Sequence, residues 1–236
     1  MSPPRTTRTH TRTAEPQLLR LLHLASPALP IGSFHFSQGL EYAVEAGWVT
    51  DESSALDWIG GIAERSLATL DLPVLMRLRK AWLTDESEVL RWNAFLIACR
   101  ETDELRQEDR HLGSAMFRVL AEFDLTTNLF VRVSPERGIA HATAFAFACA
   151  RWDIEARSML EAYAWAWTEN QVLAAVKLVP LGQSAGQRIL HAMHDRLATY
   201  ADRALDLMDS DIGVSTAMSA VASGRHEVQY TRLFRS

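Results

Sequence analysis

The chain has 236 residues, 24 Lys and Arg against 29 Asp and Glu, a formal charge of −5 and 48% hydrophobic residues. Acids and bases are interspersed, so no basic face advertises nucleic acid, and the apolar content is ample for a sizeable core. No stretch reaches the ~18 uninterrupted apolar residues of a membrane span.

Residues 1–14 carry Arg5, Arg8 and Arg12 without an apolar core behind them, which excludes a secretory signal and predicts a disordered tail. Leu18, Leu21, Leu22 and Ala25 then repeat at helical spacing, with Pro16 in the first turn where it is tolerated. Pro27 and Pro30 end that helix and open a loop, SPALPIGSFHFSQGLE from Ser26 to Glu41. Leu29, Ile31, Phe34 and Phe36 make it too apolar for a linker and predict burial or a partner surface. A short helix is expected from Gln38 to Ala46, stopped by Gly47. Asp51 or Ser53 caps the next, with Leu56, Ile59, Ala63 and Leu67 in one stripe.

Further helices are predicted from about Leu72 to Leu83 and, opened by Asp85 with Glu88, through Trp92, Phe95 and Leu96. RETDELRQEDRHLG, Arg100 to Gly113, places opposite charges at i,i+3 and i,i+4 and reads as a solvated, salt-bridged helix. Ser134-Pro135 starts a helix that passes His141 and ends at Trp152. Asp153 is expected to cap a long apolar helix that stops before Pro180. Gln183 to Leu207 forms another, and a weaker one follows Asp211. Alternating strand-length runs are absent, so the expected fold is all-α, a single-domain bundle of about ten helices spanning residues 15–224. The last stretch, 225–236, interleaves Tyr230, Leu233 and Phe234 with Arg225, Arg232 and Arg235, the composition of an interface.

No constellation for catalysis stands out. His191 and His194 lie one turn apart, but a durable metal site needs a third ligand and none is evident. His226-Glu227 is no stronger, and His141 sits in an apolar run where a core histidine is the simpler reading. The acid pairs Asp103-Glu104 and Glu108-Asp109 are expected on an exposed face. Neither a phosphate-binding glycine loop nor a dinucleotide fingerprint occurs. Cys99 and Cys149 lack a Cys-x-x-Cys pattern and fit a reducing cytosol. The run ENQVLAAVKLVPLGQSAGQ breaks a helix after Lys177 at Pro180-Leu181-Gly182 and restarts it. Gln183 and Gln187 then share a face, and Gly186 in the new first turn costs about 1 kcal/mol unless close packing requires it.

Three of these segments, LASPALPIGSFHFSQGLE, ENQVLAAVKLVPLGQSAGQ and RHEVQYTRLFRS, resemble in order and spacing the UreF family of urease accessory proteins. The resemblance also takes in RETDELRQEDRHLG and the segment at His141. It implies a cytoplasmic, non-enzymatic, all-helical homodimer. It further implies a partnership with UreD (also called UreH), the GTPase UreG and apo-urease, in a complex that handles GTP and delivers nickel. By the same resemblance Phe34, Glu41, Lys177 and Arg232 match positions facing UreG. The tail with Tyr230, Leu233 and Phe234 is used against UreD, and Gln183, Gly186 and Gln187 lie near the dimer core or a nickel passage. The family often has Tyr where this chain has Phe34, which removes a hydroxyl and keeps the ring.

Overall fold

The computed structural model describes residues 14–129, 138–213 and 216–236, and these are all helix, turn or loop, with no strand among them. Ten α-helices follow in order: α1 Ala14–Leu24, α2 Leu40–Glu45, α3 Glu52–Ile62, α4 Leu72–Thr84, α5 Glu86–Ala98, α6 Asp103–Ala121, α7 His141–Arg151, α8 Ala156–Leu178, α9 Gln183–Asp206 and α10 Ala217–His226. The all-α expectation holds.

The local signals act where the sequence puts them. Asp51 caps α3 in a reciprocal capping box, its carboxylate accepting from Ser54 N and the Ser54 hydroxyl accepting from Asp51 N. Asp85 accepts from Ser87 N at the start of α5, and Thr102 caps α6. One cap differs from expectation. Glu155, accepting from the Arg157 and Ser158 amides, caps α8, because Asp153 is used up in a left-handed turn at φ 52. The start predicted at Ser134-Pro135 lies outside the described residues, and α7 opens at His141.

Between α3 and α4 the chain does not stop but loosens into a π-helix, Ala63–Asp71. Pro73, in the first turn of α4, has no N–H to return to the Thr69 carbonyl one turn back. The Gly213 N–H donates to that carbonyl at 3.3 Å. This wider segment presents Asp71 inward, which matters for the site below.

The main layers pair α4 with α7 and α5, α6 with α7, and α8 with α9. α7 is small-residue helix at the centre: Ala142, Ala144, Ala146 and Ala148 are fully buried around Phe145. A second apolar cluster of Leu40, Val49, Ile59, Val172, Ile189 and Phe234 adjoins the main one, with Leu56, Trp165 and Trp167 packed against both. Gly186 shows why α9 opens with a glycine. A Cβ there would stand 2.9 Å from Val176 Cγ2 and 3.4 Å from Val172 Cγ1, so the close α8–α9 approach excludes one. Gly39 (φ 81) does the same for α10, since a Cβ would meet the Ser223 amide nitrogen at 2.8 Å.

Candidate functional site

Three of the four apolar loop residues are core: Leu29, Ile31 and Phe36 are buried. Phe34 alone turns outward, half exposed, on the short 3-10 turn Ser33–His35. Lys177, near the end of α8, holds its ammonium 6.0 Å from the Phe34 ring centroid and 5.7 Å from that of Phe234. A cation within about 6 Å of a ring face is attracted by its quadrupole. The structure therefore brings together Phe34, Lys177 and Phe234, from segments remote in sequence, as one apolar and cationic patch.

Phe234 is seated beneath Lys177 because the tail is folded back rather than frayed. Glu41 Oε1 accepts from the Leu233 amide at 2.7 Å, and its Oε2 accepts from the Phe234 amide at 2.9 Å. His226, fully buried at the end of α10, sets Nε2 3.1 Å from Glu41 Oε2 and Nδ1 2.7 Å from Glu104 Oε2. Both ring nitrogens thus lie within hydrogen-bonding distance of a carboxylate. Arg232 donates to the other Glu104 oxygen at 2.5 Å. Farther along, the Arg235 amide donates to the His35 carbonyl at 2.8 Å, and the Ser236 main-chain oxygen accepts from the Ser37 and Gln38 amides. α10 extends through Arg225 and His226, residues the sequence reading assigns to the tail.

Gln38 is the hub on the body side. It adopts φ 55, a left-handed backbone costing a non-glycine residue roughly 1–2 kcal/mol. Three bonds hold it there: Trp167 Nε1 donates to its Oε1 at 2.8 Å, its Nε2 donates to Glu108 Oε1 at 2.8 Å, and its amide donates to Ser236. Glu108 Oε2 accepts in turn from the Ser236 hydroxyl at 2.7 Å.

Beneath lies a cavity of about 120 Å³ lined by Asp71, Arg100, Glu108, Asp109, His141 and Tyr163 among others. Arg100 pairs with Asp71 at 2.5 Å and Asp109 at 2.9 Å, all largely buried. Asp109 also accepts from the His141 amide at 2.7 Å, placing a negative charge at the start of α7. Burial raises the Asp71 carboxyl above its ordinary value, with the Arg100 charge opposing it. Burial likewise takes His141 down to about 4, leaving a neutral ring whose Nε2 is buried without a partner. This corrects the expectation of a solvated polar helix: Glu108 and Asp109 are 4% and 5% exposed, and Glu104 is also mostly covered, while Asp103 stays outside. The i,i+4 spacing on α6 is compatible with both readings, and the partners that decide between them come from elsewhere in the chain.

The other candidates are placed as follows. Glu41 is buried under the tail, and Arg232 is 40% exposed against Glu104. Tyr230 and Leu233 are open to solvent. Gln183 and Gln187 are exposed at the start of α9, while Gly186 packs inward. His191 and His194 are exposed with ring centroids 5.3 Å apart, and His194 also lies against Trp165. Among the described residues, no group of three or more His, Cys, Asp or Glu side chains is arranged to hold a metal ion. Cys99 and Cys149 are free thiols. No described helix is long and apolar enough to cross a membrane.

Sequence reasoning missed the support beneath the patch: Asp71, Arg100, Glu104, Glu108 and Asp109, and the role of His226. One signal was there to read. Asp71 stands inside the apolar run LATLDLPVL, and a carboxylate in such a run calls for a buried cation.

Residues 49–194 match the family model described as UreF. The chain is 48% identical to the protein "Urease accessory protein UreF" of Alkalilimnicola ehrlichii, over 92% of this chain and 95% of that one. Against the proteins of the same name from Teredinibacter turnerae and Alcanivorax borkumensis the identities are 46% and 45%, covering 93% and 92% of this chain and 99% and 97% of theirs. On a family-model match over more than half its length and identities of 45–48% over more than nine-tenths of it, the chain belongs to the UreF family of urease accessory proteins.

Proposed function

We propose that the chain is a non-enzymatic cytoplasmic adaptor that bridges UreD/UreH and the GTPase UreG on apo-urease, in the complex that inserts nickel. GTP and nickel are the business of that complex; this chain contributes surfaces. The observation that carries the reading is the convergence of exposed Phe34 and Lys177 over the buried Phe234 ring, an apolar and cationic patch built on the folded-back tail. A ring and an ammonium held side by side suit a partner offering an apolar socket rimmed with acid. On this reading UreG docks at that patch, with Arg232 beside it and Glu41 acting from below by holding the tail. Tyr230 and Leu233, exposed on the same tail, serve UreD. The open amides of Gln183 and Gln187 serve a second copy of the chain at the α9 start.

The test is co-purification of UreG with a complex of this chain and UreD, using Phe34→Ala and Lys177→Ala. Both variants are expected to keep their helicity and UreD binding while losing most UreG. Retention of UreG at wild-type levels by the double variant overturns the assignment. Arg232→Ala is expected to weaken recruitment without abolishing it.

A further inference from the structure

One group in the tail's seat has no part in the partner patch. Glu108 is 4% exposed and lies under Ser236, which is itself fully buried. Its two oxygens are met only by neutral donors, Gln38 Nε2 at 2.8 Å and the Ser236 hydroxyl at 2.7 Å. Among the described residues no cation pairs with it. Arg100, which lines the same cavity, is engaged by Asp71 and Asp109. The other titratable groups around that cavity are acidic or neutral: Asp71 from the π-helix, Glu101 just ahead of α6, Asp109 from α6, Tyr163 and Glu169 from α8, and His141 from α7.

We propose that Glu108 is a proton-operated fastener of the tail, holding it down when protonated and loosening it when ionised. The geometry is what makes both forms workable. A hydroxyl can donate or accept. When the carboxyl gains a proton, its O–H can donate to Ser236 Oγ while the other oxygen still accepts from Gln38. Protonation therefore keeps both bonds and removes a buried, uncompensated charge. Ionisation keeps the bonds and restores the charge in a buried seat. Burial and the neighbouring Asp109 charge push this carboxyl up, while the two hydrogen bonds and Arg100 oppose them; it stands at about 7 against an ordinary 4.5.

The sign follows from the raised value. Docking buries the group, so protons favour the docked tail. Docking is tightest below the ordinary value, weakens as pH rises through the interval up to about 7, and is flat above it. Because Phe234 belongs to the tail, loosening it dismantles the patch beside Lys177. That consequence rests on the proposed UreG docking; the fastener itself does not.

Hydrogen exchange of the amides of residues 228–236 in the full chain, corrected for intrinsic rates, is the test. From about pH 5 to about pH 7 the wild-type tail should lose protection by tenfold or more, then level off. Glu108→Gln, neutral and able to make both bonds, should keep the low-pH protection throughout. A flat wild-type profile, or a Glu108→Gln profile that follows the wild type, overturns the proposal. Should that variant not fold, carbon-13 carboxyl titration of the wild-type chain decides: a glutamate still titrating near pH 7 supports it, and glutamates all titrating near 4.5 overturn it. A tail that switches normally in a chain unable to recruit UreG would sink the partner assignment and leave the fastener standing.

Discussion

Replacing Glu41 by alanine should release the tail before it unfolds anything else. Its carboxylate takes two tail amides, at 2.7 and 2.9 Å, and stands 3.1 Å from His226 Nε2. Hydrogen bonds to charged groups are worth about 1.5–3 kcal/mol each, so the two amides alone account for roughly 3–6 kcal/mol. Breaking a buried pair from one side costs about 3–5 kcal/mol where the other member is stranded, and less here because His226 keeps Glu104. These figures overlap in what they count, and about 3–5 kcal/mol is the sensible total. The loss is spent locally, since chains open in sub-global units and the tail is the unit touched. At about 1.4 kcal/mol per tenfold, exchange of the amides of residues 228–236 should speed up by roughly 10²–10³-fold or more. Amides of α7, whose residues Ala142 to Cys149 are at most 3% exposed, should keep their protection. Glu41→Gln, which retains an acceptor and loses the charge, should fall between. Tail protection within a few-fold of wild type in Glu41→Ala would refute the reasoning, because it would mean that the carboxylate is not what seats the tail.

Three further outcomes follow from the packing. Asp71→Ala should lower stability by about 3–5 kcal/mol, read from the denaturant midpoint at unchanged slope, because Arg100 loses a 2.5 Å partner in a buried network. Gly186→Ala should lower the melting temperature through about 1–3 kcal/mol of overpacking, its Cβ meeting Val176 at 2.9 Å. His141, held down to about 4 by burial, takes up its proton later in the folded chain than in the unfolded one. Stability should therefore fall as pH drops from about 6.5 to about 4 and be fully present above that interval, and His141→Phe should blunt this slope in a urea titration at several pH values.

Much of the fold was legible because its signals are local. Asp51, Asp85 and Gly186 announce helix starts and close packing through nearest-neighbour chemistry, and the helical period is carried within each segment. Phe34, Lys177 and Phe234 were legible one by one as exposed or interface-like residues, and the family resemblance singled them out. Their meeting was not, since nothing local tells a tail to fold back onto a loop about 200 residues earlier. The polar helix α6 was misjudged for the same reason. Glu104 and Glu108 look solvent-facing until His226, Gln38 and Ser236 arrive to cover them. The cap of α8 was missed by two positions because Asp153 and Glu155 both qualify, and only the backbone turn at Asp153 removes it from contention.

The most direct measurement of the adaptor account is the nickel content of urease made in a host that carries urease and every other accessory component, with this chain supplied as wild type, as Phe34→Ala/Lys177→Ala, or not at all. The account predicts full loading with the wild type and little with the double variant, whose circular dichroism should match the wild type. Full loading by the double variant, or in cells that lack the chain, would contradict it.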